Sequence, residues 1–267
     1  TTSHKAGLAW ANGNTVDIQP FLATGKVSWC VFSRFSSRSW GSRGKDVELE
    51  WVPLFWGAKS VPDYQRNLDE AVKRANESEK TRVRAILGMN EPEQPGQSNM
   101  TAQEGLDLWM EYMEPLRTQY GVRLGSPAVS SGPAGKRWMQ DFLALCDGRC
   151  NVDFIALHAF IAHLWDYRFT FNRTMWVTEW ACHSFVNASE NGRCSEEGVA
   201  AFMNKTQGFM DQTDWVEKYA WFGAMKDLQG VNEENALMDS NGGVSTLGRQ
   251  YVNATADQNL SSSAATG

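Results

Sequence analysis

Two glutamates stand where chemistry can be done. Glu91 closes the apolar run Val83-Arg84-Ala85-Ile86-Leu87-Gly88-Met89, directly behind Asn90 and ahead of Pro92. Glu179 closes Met175-Trp176-Val177-Thr178 and precedes Trp180. Short runs of this composition are what buried parallel strands look like. A carboxylate at the far end of such a strand lies where α/β barrels place their reacting groups. Two carboxyls facing each other across a barrel mouth can cleave a glycosidic bond. One donates a proton, and the other attacks the sugar or activates a water. The chemistry needs one neutral acid and one anion, so the surroundings must push the two pKa values apart. Asn90 is placed to bond a sugar 2-hydroxyl, a contact that tightens in the transition state. On that ground Glu91 is assigned as general acid/base and Glu179 as nucleophile. Glu93, two residues past Glu91, reads as a loop residue and a decoy acid.

The elements that must bring these groups together are legible as a rhythm. Strand-like runs fall at Ala6–Trp10, Val27–Phe32, Leu49–Phe55, Val83–Met89, Val122–Gly125, Val152–Leu157, Met175–Thr178 and Tyr219–Gly223. Helical stretches separate most of them. Ser60-Val61-Pro62-Asp63 and Thr101-Ala102-Gln103-Glu104 are capping-box patterns. Pro133–Leu145, the stretch after Ser195, and Thr246–Val252 carry apolar residues at helical spacing. Strands alternating with helices over ~250 residues point to an α/β fold, a (β/α)8 TIM barrel in a single domain. Its expected bounds are residues 1–255, with 256–267 a flexible Ser/Ala-rich tail. A doubly wound open sheet has less support, because no Gly-x-Gly-x-x-Gly follows the first run. Ser33–Asp46 is polar and reads as a loop. By this count Glu91 ends strand four and Glu179 ends strand seven.

Composition narrows the partners. The chain has 267 residues, a formal net charge of −6 and 42% hydrophobic residues. An acidic balance argues against nucleic acid. No stretch approaches the ~20 apolar residues of a membrane span. A neutral substrate, no cofactor, no metal and a monomeric state are expected. The 12 Trp residues supply flat apolar faces on which sugars stack. Seven N-x-Ser/Thr sequons, at Asn76, Asn99, Asn172, Asn187, Asn204, Asn253 and Asn259, exceed chance placement and suggest a secretory route. Cys146 and Cys150, and Cys182 and Cys194, are spaced for local disulfides, which agrees with export. Cys30 is left over and reads as a buried free thiol. A zinc site lacks a Cys-x-x-Cys or helical His pair, and His158 and His163 do not share a helix face. The start at Thr1 without a leader reads as a mature or trimmed product. The tail leaves open a lipid anchor lost from this chain, so the expected location is secreted or cell-wall associated.

Taken in order, Gly7-Leu8-Ala9-Trp10, Val27-Ser28-Trp29, Asn90-Glu91-Pro92-Glu93, Ser126-Pro127-Ala128, Phe154-Ile155-Ala156-Leu157-His158 and Trp176-Val177-Thr178-Glu179-Trp180 resemble glycoside hydrolase family 128, the β-1,3-glucanases of (β/α)8 fold. The resemblance runs from Lys5 to about Val252. It implies retaining hydrolysis of β-1,3-glucan or its oligosaccharides, with endo cleavage expected over exo. It places Asn90, Glu91 and Glu179 in the site, His158 as a hydrogen-bonding neighbour and Trp221 as the floor of the cleavage subsite. Trp10, Trp56 and Trp180 are expected along the cleft. The pattern departs from the family at Ala159-Phe160, in the short Ala159–Thr174 segment and at the strand-two exit Cys30–Arg34. A non-catalytic or weakly catalytic β-1,3-glucan-binding protein on the same scaffold is the alternative.

Overall fold

The described strand segments pair in parallel, and the first pairs with the last. The computed structural model describes residues 4–9, 17–32, 49–76, 81–158, 163–183 and 193–255. Trp10, the Ser33–Asp46 loop, Ala159-Phe160, the sequons Asn187 and Asn259 and the tail from 256 onwards lie outside the described residues. The strand segments are β1 (Ala6–Ala9), β2 (Trp29–Phe32), β3 (Leu49–Pro53), β4 (Thr81–Arg82), β5 (Ala85–Leu87), β6 (Arg123–Gly125), β7 (Val129–Ser130), β8 (Ile155–His158), β9 (Met175–Trp180) and β10 (Val216–Phe222). One sheet runs β4-β3-β2-β1-β10-β9-β8-β7, and β5 pairs with β6. Parallel bridges from Leu54 to Leu87, Asn90 to Ala128 and Gly125 to Phe154 join the two sheets into a ring. β4 and β5 are parts of one stave broken at Val83-Arg84. β6 and β7 are parts of another, broken around Pro127, which has no N–H to donate. The result is the single-domain (β/α)8 barrel, with each of the eight runs read from the sequence on a stave.

The helices are α1 (Gln19–Leu22), α2 (Val61–Asn76), α3 (Ala102–Leu108), α4 (Glu114–Tyr120), α5 (Pro133–Cys146), α6 (Leu164–Phe171), α7 (Glu196–Gln212) and α8 (Thr246–Tyr251). Thr101 and Glu104 form the full capping box of α3: Thr101 Oγ1 accepts from Glu104 N at 3.2 Å and Glu104 Oε2 accepts from Thr101 N at 2.7 Å. Ser60 behaves differently. Its hydroxyl donates back to Gly57 O at 2.8 Å and closes a 3-10 turn that leads into α2. Between α3 and α4 a π turn, Trp109–Met113, absorbs the missing N–H of Pro115. No described helix is long and apolar enough to cross a membrane.

Inside the barrel, small residues face large ones. Ala9, Ala156 and Ala220 share the inner cluster with Trp29, Phe154 and Trp176. Phe154 stacks on Trp176 at 4.0 Å, and Trp29 tilts against it at 5.5 Å. Below them β10 carries a bulge: Val216 pairs with Met175 and Lys218 with Trp176. An extra residue of this kind turns two successive side chains the same way. Glu217 meets Arg123 at 2.9 Å and the Trp176 indole N–H at 2.8 Å. Lys218 meets Glu50 at 3.0 Å and sits over the rings of Trp29 and Trp176. These pairs floor the barrel at the N-terminal ends of its strands. The local disulfides form as Cys146–Cys150 and Cys182–Cys194, and Cys30 is a buried free thiol.

Gly7 faces Trp29 across β1 and β2, and a Cβ there would lie 2.2 Å from Trp29 Cε2. Gly7→Ala therefore overpacks the barrel and lowers unfolding free energy by about 1–3 kcal/mol. Urea titration checks this, and an unchanged midpoint refutes the packing assignment.

Candidate active site

Three strand ends converge on one imidazole. His158 ends β8, where alternation is regular: Ile155 and Leu157 join the outer core, while Ala156 joins the inner cluster. His158 therefore turns toward the barrel axis. Its Nδ1 donates to Glu91 Oε1 at 2.9 Å and lies 3.6 Å from Glu179 Oε2. The two carboxyl oxygens share that nitrogen, so they are at most 6.5 Å apart, the sum of 2.9 and 3.6 Å. Side-chain exposure of 20% for Glu91 and 29% for Glu179 leaves both within reach of solvent.

The two glutamates arrive by different backbone devices. Glu91 has φ +39°, a left-handed conformation that costs a non-glycine residue about 1–3 kcal/mol. Its N–H is held by Ala128 O at 2.8 Å. Behind it, Asn90 N donates to Trp56 O at 3.1 Å, and Ser98 Oγ donates to Asn90 O at 2.6 Å. Glu179 depends on a second bulge. Val177 pairs with Leu157, yet the next pair is Glu179 with His158; on the other side Val177 faces Tyr219, and Trp180 faces Trp221. Val177 and Trp180 both pack in the outer core. Thr178 and Glu179 between them turn the other way together, which puts the carboxylate into the mouth.

Burial raises the Glu179 carboxyl, the His158 charge opposes that, and the nearby Glu91 adds to it; the net shift is upward. Burial also acts to raise Glu91, but the charge and hydrogen bond of His158 together outweigh it, so Glu91 is lowered. Burial would lower His158; the charges of Glu179 and Glu91 and the bond to Glu91 reverse this and raise it to about 9. At neutral pH the imidazole is a cation between two carboxyls.

The remaining expected residues divide. Asn90 is buried beside Glu91, and its amide donates to Gln97 Oε1 at 3.0 Å. Trp56 is half-buried and packs on the upper edge of the inner cluster. Trp180 and Trp221 are corrections. At 2% and 0% exposure neither offers a face to a ligand. Their rings pack edge-to-face at 4.9 Å in the outer core. Trp180 Nε1 donates to Thr206 on α7, and Trp221 Nε1 donates to Asn235 O. Asn235 in turn bonds both backbone groups of Cys182, three residues past Glu179. The two indoles thus brace the strand end from outside. The aromatic that β10 presents to the mouth is Phe222, one residue on, half-buried against the inner cluster. The missed signal was alternation: Ala220 is the small inner residue, so its inner partner two positions along is Phe222. Glu93 is a clamp and not an acid in the mouth, since Oε1 accepts from Ser130 N at 2.8 Å and ties the loop to β7. No group of three His, Cys, Asp or Glu among the described residues is placed to hold a metal ion.

The model of the "Glycosyl hydrolase catalytic core" family matches residues 7–251. Alkali-sensitive linkage protein 1 of Schizosaccharomyces pombe is 29% identical over 262 residues, which is 94% of this chain and 45% of that protein. The chain thus spans less than half the length of the curated relative it matches. Among solved structures, the exo-β-1,3-glucanase of Cryptococcus neoformans is 27% identical, with a TM-score of 0.75 over 93% of this chain and 98% of that one. The endo-β-1,3-glucanase of Amycolatopsis mediterranei, in complex with laminaritriose, is 25% identical, with a TM-score of 0.72 over 95% and 100%. Both belong to glycoside hydrolase family 128, the family that the ordered motifs resemble.

A histidine whose folded pKa lies near 9, above the unfolded ~6.5, contributes stability fully below ~6.5 and loses it as pH rises through about 9. Wild type should lose on the order of 2–3 kcal/mol across that window relative to His158→Gln. Denaturant melts at stepped pH measure it; parallel profiles for the two proteins refute a charged His158.

Proposed function

The chain belongs to the glycosyl hydrolase catalytic core family, and on that footing we propose that it is a secreted enzyme that hydrolyses β-1,3-glucan or its oligosaccharides with retention of configuration. One observation supports the mechanism: Glu91 Oε1 and Glu179 Oε2 share His158 Nδ1 and so lie no more than 6.5 Å apart, a bound that takes in the retaining spacing. Retaining enzymes hold their carboxyls at about 5–5.5 Å, whereas the inverting range begins at about 6.5 Å to leave room for a water. The substrate class is supported by the glucanases that share the fold at 25–27% identity. Export is supported by the two disulfides.

In the first step the Glu179 carboxylate attacks the anomeric carbon while Glu91 protonates the departing glycosidic oxygen. In the second, Glu91 takes a proton from water, and the hydroxide displaces Glu179 from the glycosyl ester. The surroundings rank the proton affinities the other way, with Glu179 raised and Glu91 lowered. The His158 cation reconciles the two. Its proton lies on Nδ1, 2.9 Å from Glu91 Oε1. Starting from both carboxylates ionised beside the His158 cation, transfer along that bond leaves Glu91 neutral, His158 neutral and Glu179 ionised, with the total charge unchanged. Asn90, fixed by Gln97, is the partner for the 2-hydroxyl. Trp56 and Phe222 flank the ring. We carry endo cleavage as the mode of attack; relatives of both modes share this barrel, so product profiles on long and short glucans decide it. A weakly catalytic or non-catalytic glucan binder is favoured by one point, that the curated relative is named a linkage protein. Tight laminarihexaose binding without turnover in wild type would establish it.

Glu91→Gln should cut laminari-oligosaccharide hydrolysis by about 10²–10⁴-fold with binding kept. Azide should rescue Glu91→Ala as a β-glycosyl azide and Glu179→Ala as an α-glycosyl azide. Interchanged products reverse the two roles, and wild-type release of an α-sugar by proton NMR overturns retention. Phe222→Ala should weaken oligosaccharide binding by calorimetry, and unchanged affinity removes it from the subsite.

A further inference from the structure

Helix α6 carries an aromatic stripe that the catalytic reading leaves unused. Phe169 is 78% exposed and Trp165 47%, the most exposed large hydrophobic side chains among the described residues. Their rings stack at 5.6 Å and 26°. Trp165 is backed edge-on by Trp215 at 5.0 Å, so the pair forms a braced platform rather than two loose side chains. Exposed apolar surface of this kind marks a contact. The stripe continues to Asn172. Positions 165 and 169 are spaced i, i+4 and share one face of α6, and Asn172 follows three residues on as its C-cap. Asn172 ends α6 in the left-handed conformation, φ +47°, its N–H bonded to Arg168 O at 2.9 Å. Its side chain is exposed, and Asn172-Arg173-Thr174 is a glycosylation sequon.

We propose that Asn172 carries an N-linked glycan whose first N-acetylglucosamine lies on Phe169 and Trp165. The C–H face and acetyl methyl of the sugar match the indole and phenyl faces, while its hydroxyls stay in water. Asn172 lies three residues before β9, at the N-terminal end of the barrel strands, so the glycan leaves on the face opposite Glu91 and Glu179. Other described sequons lack this combination. At Asn204 the preceding aromatic, Phe202, is only partly exposed and packs on Trp221. Asn99 and Asn253 are exposed, also at positive φ, but neither has an exposed aromatic within two turns before it. The inference rests on export through a secretory pathway and not on catalysis.

The test uses the full chain secreted from a eukaryotic host. Peptide mass spectrometry should find Asn172 occupied. Asn172→Asp removes the attachment and keeps a residue that tolerates the left-handed turn. It should lower Tm by about 2–4 °C, and it should leave Tm unchanged when made on a Phe169→Ser background. An unmodified Asn172 peptide overturns the proposal; glycans found at Asn99 or Asn253 in that same sample show that export held and Asn172 alone failed. An equal loss of Tm in both backgrounds also overturns it, because the sugar then does not use the aromatic platform.

Discussion

One imidazole nitrogen within reach of two carboxylates sets the terms for the rest of this molecule. Two like charges confined within 6.5 Å would repel, and one would hold its proton. The His158 cation removes most of that penalty and ties Glu91 in a defined position. Together with the burial of Glu179 it sets the carboxyls apart, since it bonds Glu91 and only approaches Glu179. The interaction survives only if three strand ends stop in the right places. A shift of an ångström at any of them would open the 2.9 Å bond or strand a partly buried charge.

The barrel meets that requirement with irregularity at its rim. β8 keeps its alternation and delivers His158. Glu91 takes a left-handed turn that Ala128 and the Ser98–Asn90 contacts hold in place. β9 inserts a residue so that Thr178 and Glu179 face inward together. Strain and bulging at the mouth are tolerable because the outer layer is rigid. Trp180, Trp221 and Asn235 lock the backbone around Glu179 to α7 and to the Cys182–Cys194 disulfide.

That division explains what could be read in the residues. Eight staves were legible because each is an apolar run bounded by polar residues, and the two glutamates were legible because they end such runs. The α6 segment looked too short for a full helix, and two turns are what form. The faces were harder. A bulge leaves no mark in a period-two pattern, so Trp180 followed Glu179 into the cleft on paper and into the helix layer in the fold. Trp221 failed by a single register step, with Phe222 taking its place. The breaks in the fourth and fifth staves were hidden too, although Pro127, which has no N–H to donate, lies at the second of them. The opposite pKa shifts of Glu91 and Glu179 were beyond any pattern, because they turn on the burial of Glu179 and on the hydrogen bond that His158 makes to Glu91 alone.

The packed floor beneath Trp29 and Trp176 has a consequence for traffic. Lys218, Glu50, Glu217 and Arg123 seal the lower end with paired charges, so the barrel is a cup and not a tube. Everything that reaches the reacting pair must come and go through the same opening. Under the proposed two-step hydrolysis the incoming water would enter by the route the leaving half of the sugar chain takes out, which imposes an order of events that neither carboxylate dictates by itself.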